Sequence, residues 1–139
     1  MRIMAIDYGD RHTGIALSDL TGTIAGEAFV IDDWNSERLA DRIAAEAKER
    51  GVSTIVLGYP LNMDGSAGPR AEKSLELREL IKERAGLEPV MWDERRTTVD
   101  AHRIISENGR HGKRRKQIVD AVAATLILEG YLNKNRGIM

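Results

Sequence analysis

Three acids in this chain stand at the borders of apolar segments, where α/β proteins do their chemistry. Asp7 ends the run Ile3–Ile6. A polar turn with Gly9 follows, then a second apolar run, Ile15–Leu17, that closes on Ser18-Asp19. Asp93 and Glu94 end "VMWDE", and Asp120 opens the apolar part of "KQIVDAVAATLIL". Ligands of open α/β sheets sit beyond the carboxyl ends of parallel strands. If these ends converge, Asp7, Glu94 and Asp120 form one acidic cluster, and like charges in a partly dry site repel. A hard divalent cation is the usual compensation, and oxygen ligands suit magnesium or manganese. Taken singly, each acid has a plainer reading. Asp7 can bond backbone groups of its own turn. Glu94 can pair on the surface with Arg95 or Arg96, and Asp120 can be an acid in the first turn of a helix, favoured by the helix dipole.

The elements that must position these acids follow from periodicity. Arg2–Asp7 and Thr13–Asp19 read as a β-hairpin, and Ile24–Ile31 as a third strand. A helix then begins at Asn35 or Ser36, repeats Leu39, Ile43 and Ala47, and stops at Gly51. "VSTIVLGYP" is an apolar strand, "NMDGSAGPR" a loop, and Arg70–Arg84 a helix carrying Leu75, Leu77, Leu80 and Ile81. "EPVMWD" is a short fifth strand. A helix capped by Thr97 or Thr98 ends at Gly109, and a last helix runs from about Gln117 through Tyr131. The first three strands have links too short for crossovers and pair antiparallel. The later two are separated by helices and run parallel to the first. The expectation is one α/β domain over residues 1–139, a five-stranded mixed sheet flanked by helices.

Composition narrows the function. The chain has 139 residues, 42% hydrophobic and 31% charged, which suits one globular core. No cysteine is present, which excludes disulfides, thiolate metal sites and thiol nucleophiles. No apolar run reaches membrane-spanning length, the N-terminus does not read as a signal peptide, and the expected location is cytoplasmic. The net charge of −1 excludes a globally basic nucleic-acid binder. It leaves room for a local one, because "RHGKRRK", Arg110 to Lys116, holds five cations and no acid.

Four strings, "IDYGDRHTGIALSD", "VLGYPLNMDGSAGPRA", "WDERRTT" and "KRRKQIVDAVAATLILEGYL", resemble the YqgF family in order and over nearly the whole chain. That family is described as pre-16S rRNA nucleases, long called Holliday-junction-resolvase-like, with an RNase H-like fold. The resemblance implies catalytic acids at Asp7, Glu94 and Asp120, which would also hold Mg2+ or Mn2+. A two-metal site clamps the attacking and leaving oxygens of an in-line displacement on phosphorus. Asp7 would bridge the ions, with water as nucleophile. Two departures from the family pattern stand out. The first turn reads Asp10-Arg11-His12 where relatives often carry a small hydroxyl residue and a lysine, and Tyr59 replaces a smaller residue.

Around the acids, Arg110, Lys113, Arg114, Arg115 and Lys116 would position nucleic acid through its phosphates without reading sequence; the plainer reading is a solvated loop. Arg95 is placed to approach a scissile phosphate. Asn62 and Ser66 could contact sugar or phosphate from the "NMDGSAG" loop, or simply form its turn. His12 and His111 read as phosphate neighbours and His102 as ordinary, and no pair has zinc spacing. Gly9 and Gly14 permit close approach or tight turning. Trp34 and Trp92 read as packing residues. Two other classes compete. "DYGDRHTG" also looks like the first phosphate loop of actin-like ATPases and sugar kinases, but those close two domains over ATP. A non-catalytic nucleic-acid-binding module is the other, and retention of all three acids counts against it. The expected partner is nucleic acid, an RNA precursor ahead of a four-way DNA junction, bound by a monomer or homodimer.

Overall fold

The computed structural model describes residues 1–94 and 112–135, with side chains in the last helix described from Asp120 onward. Its strands are β1 (Arg2–Asp7), β2 (His12–Ser18), β3 (Ala25–Asp32), β4 (Val52–Tyr59) and β5 (Val90–Asp93). The helices are α1 (Ser36–Glu49), α2 (Pro69–Ala85) and α3 (Gly112–Asn135). The helix expected between Thr97 and Gly109 lies outside the described residues.

The sheet order is β3-β2-β1-β4-β5. β1 pairs antiparallel with β2 and β2 with β3, while β4 and β5 run parallel to β1, as the link lengths require. Because β3 is antiparallel to β2, it runs the same way as β1. The carboxyl ends of β1, β3, β4 and β5 therefore lie along one edge.

Alternation along the strands sorts side chains onto two faces. Met4, Ile6, Ile15, Leu17, Ile55 and Leu57 bury against Leu39 and Ile43 of α1 and Leu77 and Ile81 of α2. Ile3, Ala5, Ala16, Val56 and Trp92 bury against Ala124, Ile127, Leu128 and Leu132 of α3. Parity then decides the acids. Asp7 follows Ile3 and Ala5 onto the α3 face, and Glu94 follows Trp92, whereas Asp93 takes the other parity.

The caps fit their residues. The Asn35 side chain accepts from the Arg38 amide at 3.0 Å, satisfying one of the free amides of the first turn of α1. Gly51, with φ at +67°, ends that helix. The last helix departs from expectation. It begins at Gly112, so Lys113–Lys116 lie in its first turns rather than in a loop, and Asp120 is not in its first turn. Cations at a helix start oppose the dipole. Lysine and arginine are nevertheless strong helix formers, and the apolar stripe that follows anchors the whole helix. Among the described residues, no helix is long and apolar enough to cross a membrane.

Candidate active site

The site is built where β1, β4 and β5 end beneath α3. Asp7 ends β1, paired with Gly14 of β2. Gly14 is the point at which α3 reaches the sheet: a Cβ there would sit 2.0 Å from the backbone oxygen of Asp120. Only a glycine lets the helix backbone come this close, so the row Asp7–Gly14 brings Asp120 over the sheet beside Asp7. The α3 stripe agrees, since Asp120, Ala124, Ile127 and Leu128 follow the i, i+4, i+7, i+8 spacing of one helix face. Asp120 is half-buried, with Oδ2 closed off from solvent. A second glycine makes room for Glu94. At Gly58 of β4, a Cβ would stand 2.8 Å from the Glu94 Cδ.

Asp7 and Glu94 meet side chain to side chain. Burial pushes the Asp7 carboxyl well above its ordinary range. The Glu94 charge and the hydrogen bond between the two acids push it the same way, and Arg70 opposes them. Burial also raises Glu94, against the hydrogen bond from Asp7 and the charge of Arg70, while Asp93 adds to the rise. Both shifts favour the protonated form, and the hydrogen bond raises Asp7 while lowering Glu94, which makes Asp7 the donor of the pair.

A carboxyl pair that retains a proton is a pair a cation can serve equally well, because metal binding displaces protons from its ligands. Its hard oxygen donors suit magnesium or manganese. Among the described residues, no three His, Asp or Glu side chains already stand as a metal-holding group. The structure thus brings two of the three expected acids into contact and sets the third, Asp120, on the facing helix.

The other expected residues fare differently. Arg95, Arg110 and His111 lie outside the described residues, as do the side chains of Lys113, Arg114, Arg115 and Lys116. Asn62 and Ser66 spend their polar groups on their own loop. The Asn62 amide donates to the Ser66 carbonyl at 2.9 Å, and its Nδ2 to the Ser66 Oγ at 3.0 Å. Gly9 is a turn glycine, since a Cβ there would meet the His12 carbonyl oxygen at 2.3 Å. His12 is not turned toward a ligand as expected: it is buried, with Nε2 3.8 Å from the Asp32 carboxylate. Asp10 is an exposed partner of Lys73, at 3.5 Å.

Trp92 packs as expected, buried edge-on to Tyr131 under Gly130. Trp34 does not: it is 71% exposed, because β3 ends and α1 starts around it without burying it. Sequence reasoning missed Arg70. It lies in the first turn of α2, donates from Nη2 to the Tyr8 carbonyl at 3.4 Å, and favours the charged form of both acids. Its only sequence signal is a cation following Pro69 at a helix start.

A family model described as "RuvX: Holliday junction resolvase" matches residues 1–134. The chain belongs to this family. It is the YqgF family that the sequence strings resemble. A RuvX relative from Acetivibrio thermocellus, named "Putative pre-16S rRNA nuclease", is 43% identical over 136 residues, 96% of each chain. A Clostridium botulinum (strain Hall) relative of the same name is 46% identical over 133 residues, 96% of this chain and 97% of its own. Two solved structures share the RuvX chain's fold at 11% identity. T. thermophilus RuvC in complex with Holliday junction substrate has a TM-score of 0.63, covering 99% of this chain and 96% of its own. Fowlpox virus resolvase in complex with Holliday junction DNA has a TM-score of 0.61, covering 97% and 99%. The fold is RNase H-like.

Proposed function

We propose that this RuvX member is a single-domain, divalent-metal-dependent nuclease of the cytoplasm that hydrolyses phosphodiester bonds, with the 5′ end of pre-16S rRNA as its substrate. The observation that carries the reading is the contact between Asp7 and Glu94 at the carboxyl edge of parallel strands, with the α3 backbone at Asp120 packed on Gly14 beside it. Three buried or half-buried acids on one face weaken a fold unless something positive is bound there. The names of the RuvX relatives support a ribosomal RNA precursor.

When bound, Mg2+ or Mn2+ held by Asp7, Glu94 and Asp120 would generate the attacking hydroxide and stabilise charge at phosphorus. The protein's own residues do the rest. Gly14 and Gly58 set the spacing of the acids, and Arg70 offers a guanidinium beside them that suits a phosphate oxygen. The cations at the start of α3 meet the backbone of the nucleic acid without reading sequence.

A second reading, resolution of four-way DNA junctions, is favoured by the resolvases of like fold solved with junction substrates, and would call for a dimer. Cleavage of matched pre-rRNA, single-stranded DNA and four-way-junction substrates in magnesium and in manganese separates the two. Preferential cutting of the RNA supports rRNA processing. Symmetric paired cuts in the junction, with RNA left intact, would replace it.

A further inference from the structure

An exposed tryptophan is the least explained residue in this fold. Trp34 follows β3 directly and is 71% exposed, while the other tryptophan, Trp92, is only 6% exposed. Its place is fixed by register. Asp7 pairs with Gly14, and Gly14 pairs with Val30 of β3. Val30 is thus two strand spacings, about 10 Å, across the sheet from Asp7, and Trp34 lies four residues further along the chain, beyond the same sheet edge.

The ring is held, not loose. The Asp33 carboxylate accepts from the Asn35 amide at 2.9 Å and grips the Arg38 guanidinium through Nε at 3.2 Å and Nη2 at 3.1 Å. The gripped guanidinium lies over the indole, 5.2 Å from its centroid. Asn35 caps α1 immediately afterwards. One face of the ring is therefore backed by a cation anchored to a carboxylate, and the remaining surface meets solvent.

Two of the three cations around the ring are paired with carboxylates and the third reaches a backbone carbonyl. Arg11 pairs with Asp32 at 3.0 Å, Arg38 with Asp33, and Arg42 reaches the Asp32 carbonyl at 3.3 Å. The indole offers an aromatic face, which every base can stack upon. Base pairs inside a duplex are already stacked and have no free face to give.

We propose that Trp34, backed by Arg38, is a stacking subsite for an unpaired base of the nucleic-acid substrate, beyond the same sheet edge as the Asp7–Glu94 pair. The proposal rests on the nuclease reading for its ligand and sharpens it: the substrate carries single-stranded nucleotides next to the cut, as a precursor end does and a fully paired junction does not. Stacking neutralises no phosphate, so this contact adds little to the salt dependence of binding.

The test is a titration of intrinsic tryptophan fluorescence, without divalent metal, using single-stranded RNA and a hairpin-closed duplex of matched length. Single strands should quench the signal saturably, the closed duplex should not, and Trp34→Phe, which leaves Trp92 as the remaining tryptophan, should lose the quench. Trp34→Ala should weaken binding of labelled single strands roughly 5- to 150-fold, and Trp34→Phe should restore most of it. Substitution of this exposed side chain leaves the core intact, which a melting curve verifies. Absence of quenching, or equal affinity of Trp34→Ala and wild type, overturns the subsite, and so does quenching only by a protein partner. Cleavage with metal is scored separately. Quenching by a protein that cuts nothing keeps the subsite and removes the nuclease reading, whereas cutting without quenching does the reverse.

Discussion

Gly14→Ala is the smallest change that separates the sheet from the helix carrying Asp120. The added Cβ would lie 2.0 Å from the Asp120 carbonyl oxygen and 2.5 Å from its carbonyl carbon. Carbon–oxygen contacts between packed backbones lie near ~3.3 Å, so α3 and β2 must part by more than about 1 Å. Both crowded groups are backbone, and no side-chain rotation relieves them. Overpacking of this kind costs about 1–3 kcal/mol, and a rigid backbone clash belongs at the upper end. At about 4 °C per kcal/mol for a chain of this size, the melting temperature should fall by roughly 8–12 °C. A displacement near 1 Å in a catalytic group can cost about 100-fold in rate, so cleavage below the new melting temperature should fall by about that factor while substrate binding changes little. Calorimetry and single-turnover cleavage at 25 °C measure the two effects. A Gly14→Ala protein with wild-type stability and rate would refute the claim that Gly14 sets Asp120 over Asp7.

The raised carboxyls of Asp7 and Glu94 make a pH prediction. The folded pair binds more protons than the unfolded chain above about pH 4, where free carboxyls ionise, so metal-free stability should fall as pH rises from there through the raised values. Asp7→Asn should flatten that slope and match or exceed wild type near neutrality. Melting curves in chelator across this range check it, and a wild-type profile that climbs with pH contradicts the pairing. At the start of α3, changing Lys113, Arg114, Arg115 and Lys116 together to glutamine should weaken binding to all sequences alike. It should also flatten the salt dependence by up to about 0.9 log units per lost contact on duplex DNA, or about 0.7 on single strands. Salt titrations of binding measure this, and an unchanged slope means the run does not touch phosphate.

Much of this architecture is legible in the sequence because it rests on local rules. Link lengths dictate which strands run antiparallel, Asn35 and Gly51 announce the ends of α1, and strand parity puts Glu94 rather than Asp93 with Asp7. The i, i+4, i+7 spacing from Asp120 to Ile127 likewise shows which way that acid points. What stayed hidden depends on distant groups meeting. Gly14 and Gly58 look like ordinary strand glycines until Asp120 and Glu94 are seen against them. Arg70 has no local mark beyond the Pro69 before it, because its role comes from lying next to a carbonyl 62 residues away. The start of α3 has no favourable local mark, since a cationic first turn opposes the dipole and the packing that holds the helix comes from Ala124 onward. Trp34 reads as a packing residue by type, and only the ends of β3 and α1 show that it stands exposed with the Arg38 guanidinium over its ring.

The central claim is that Asp7, Glu94 and Asp120 act together as one metal-binding catalytic site. Its most direct measurement is cleavage of a pre-16S rRNA 5′ fragment by purified wild type, Asp7→Asn, Glu94→Gln and Asp120→Asn, in manganese and in chelator, with melting curves to verify folding. The account predicts cutting by wild type only when metal is present, and loss of cutting in all three folded variants. Wild-type-like cutting by folded Asp7→Asn, or undiminished cutting in chelator, would contradict it.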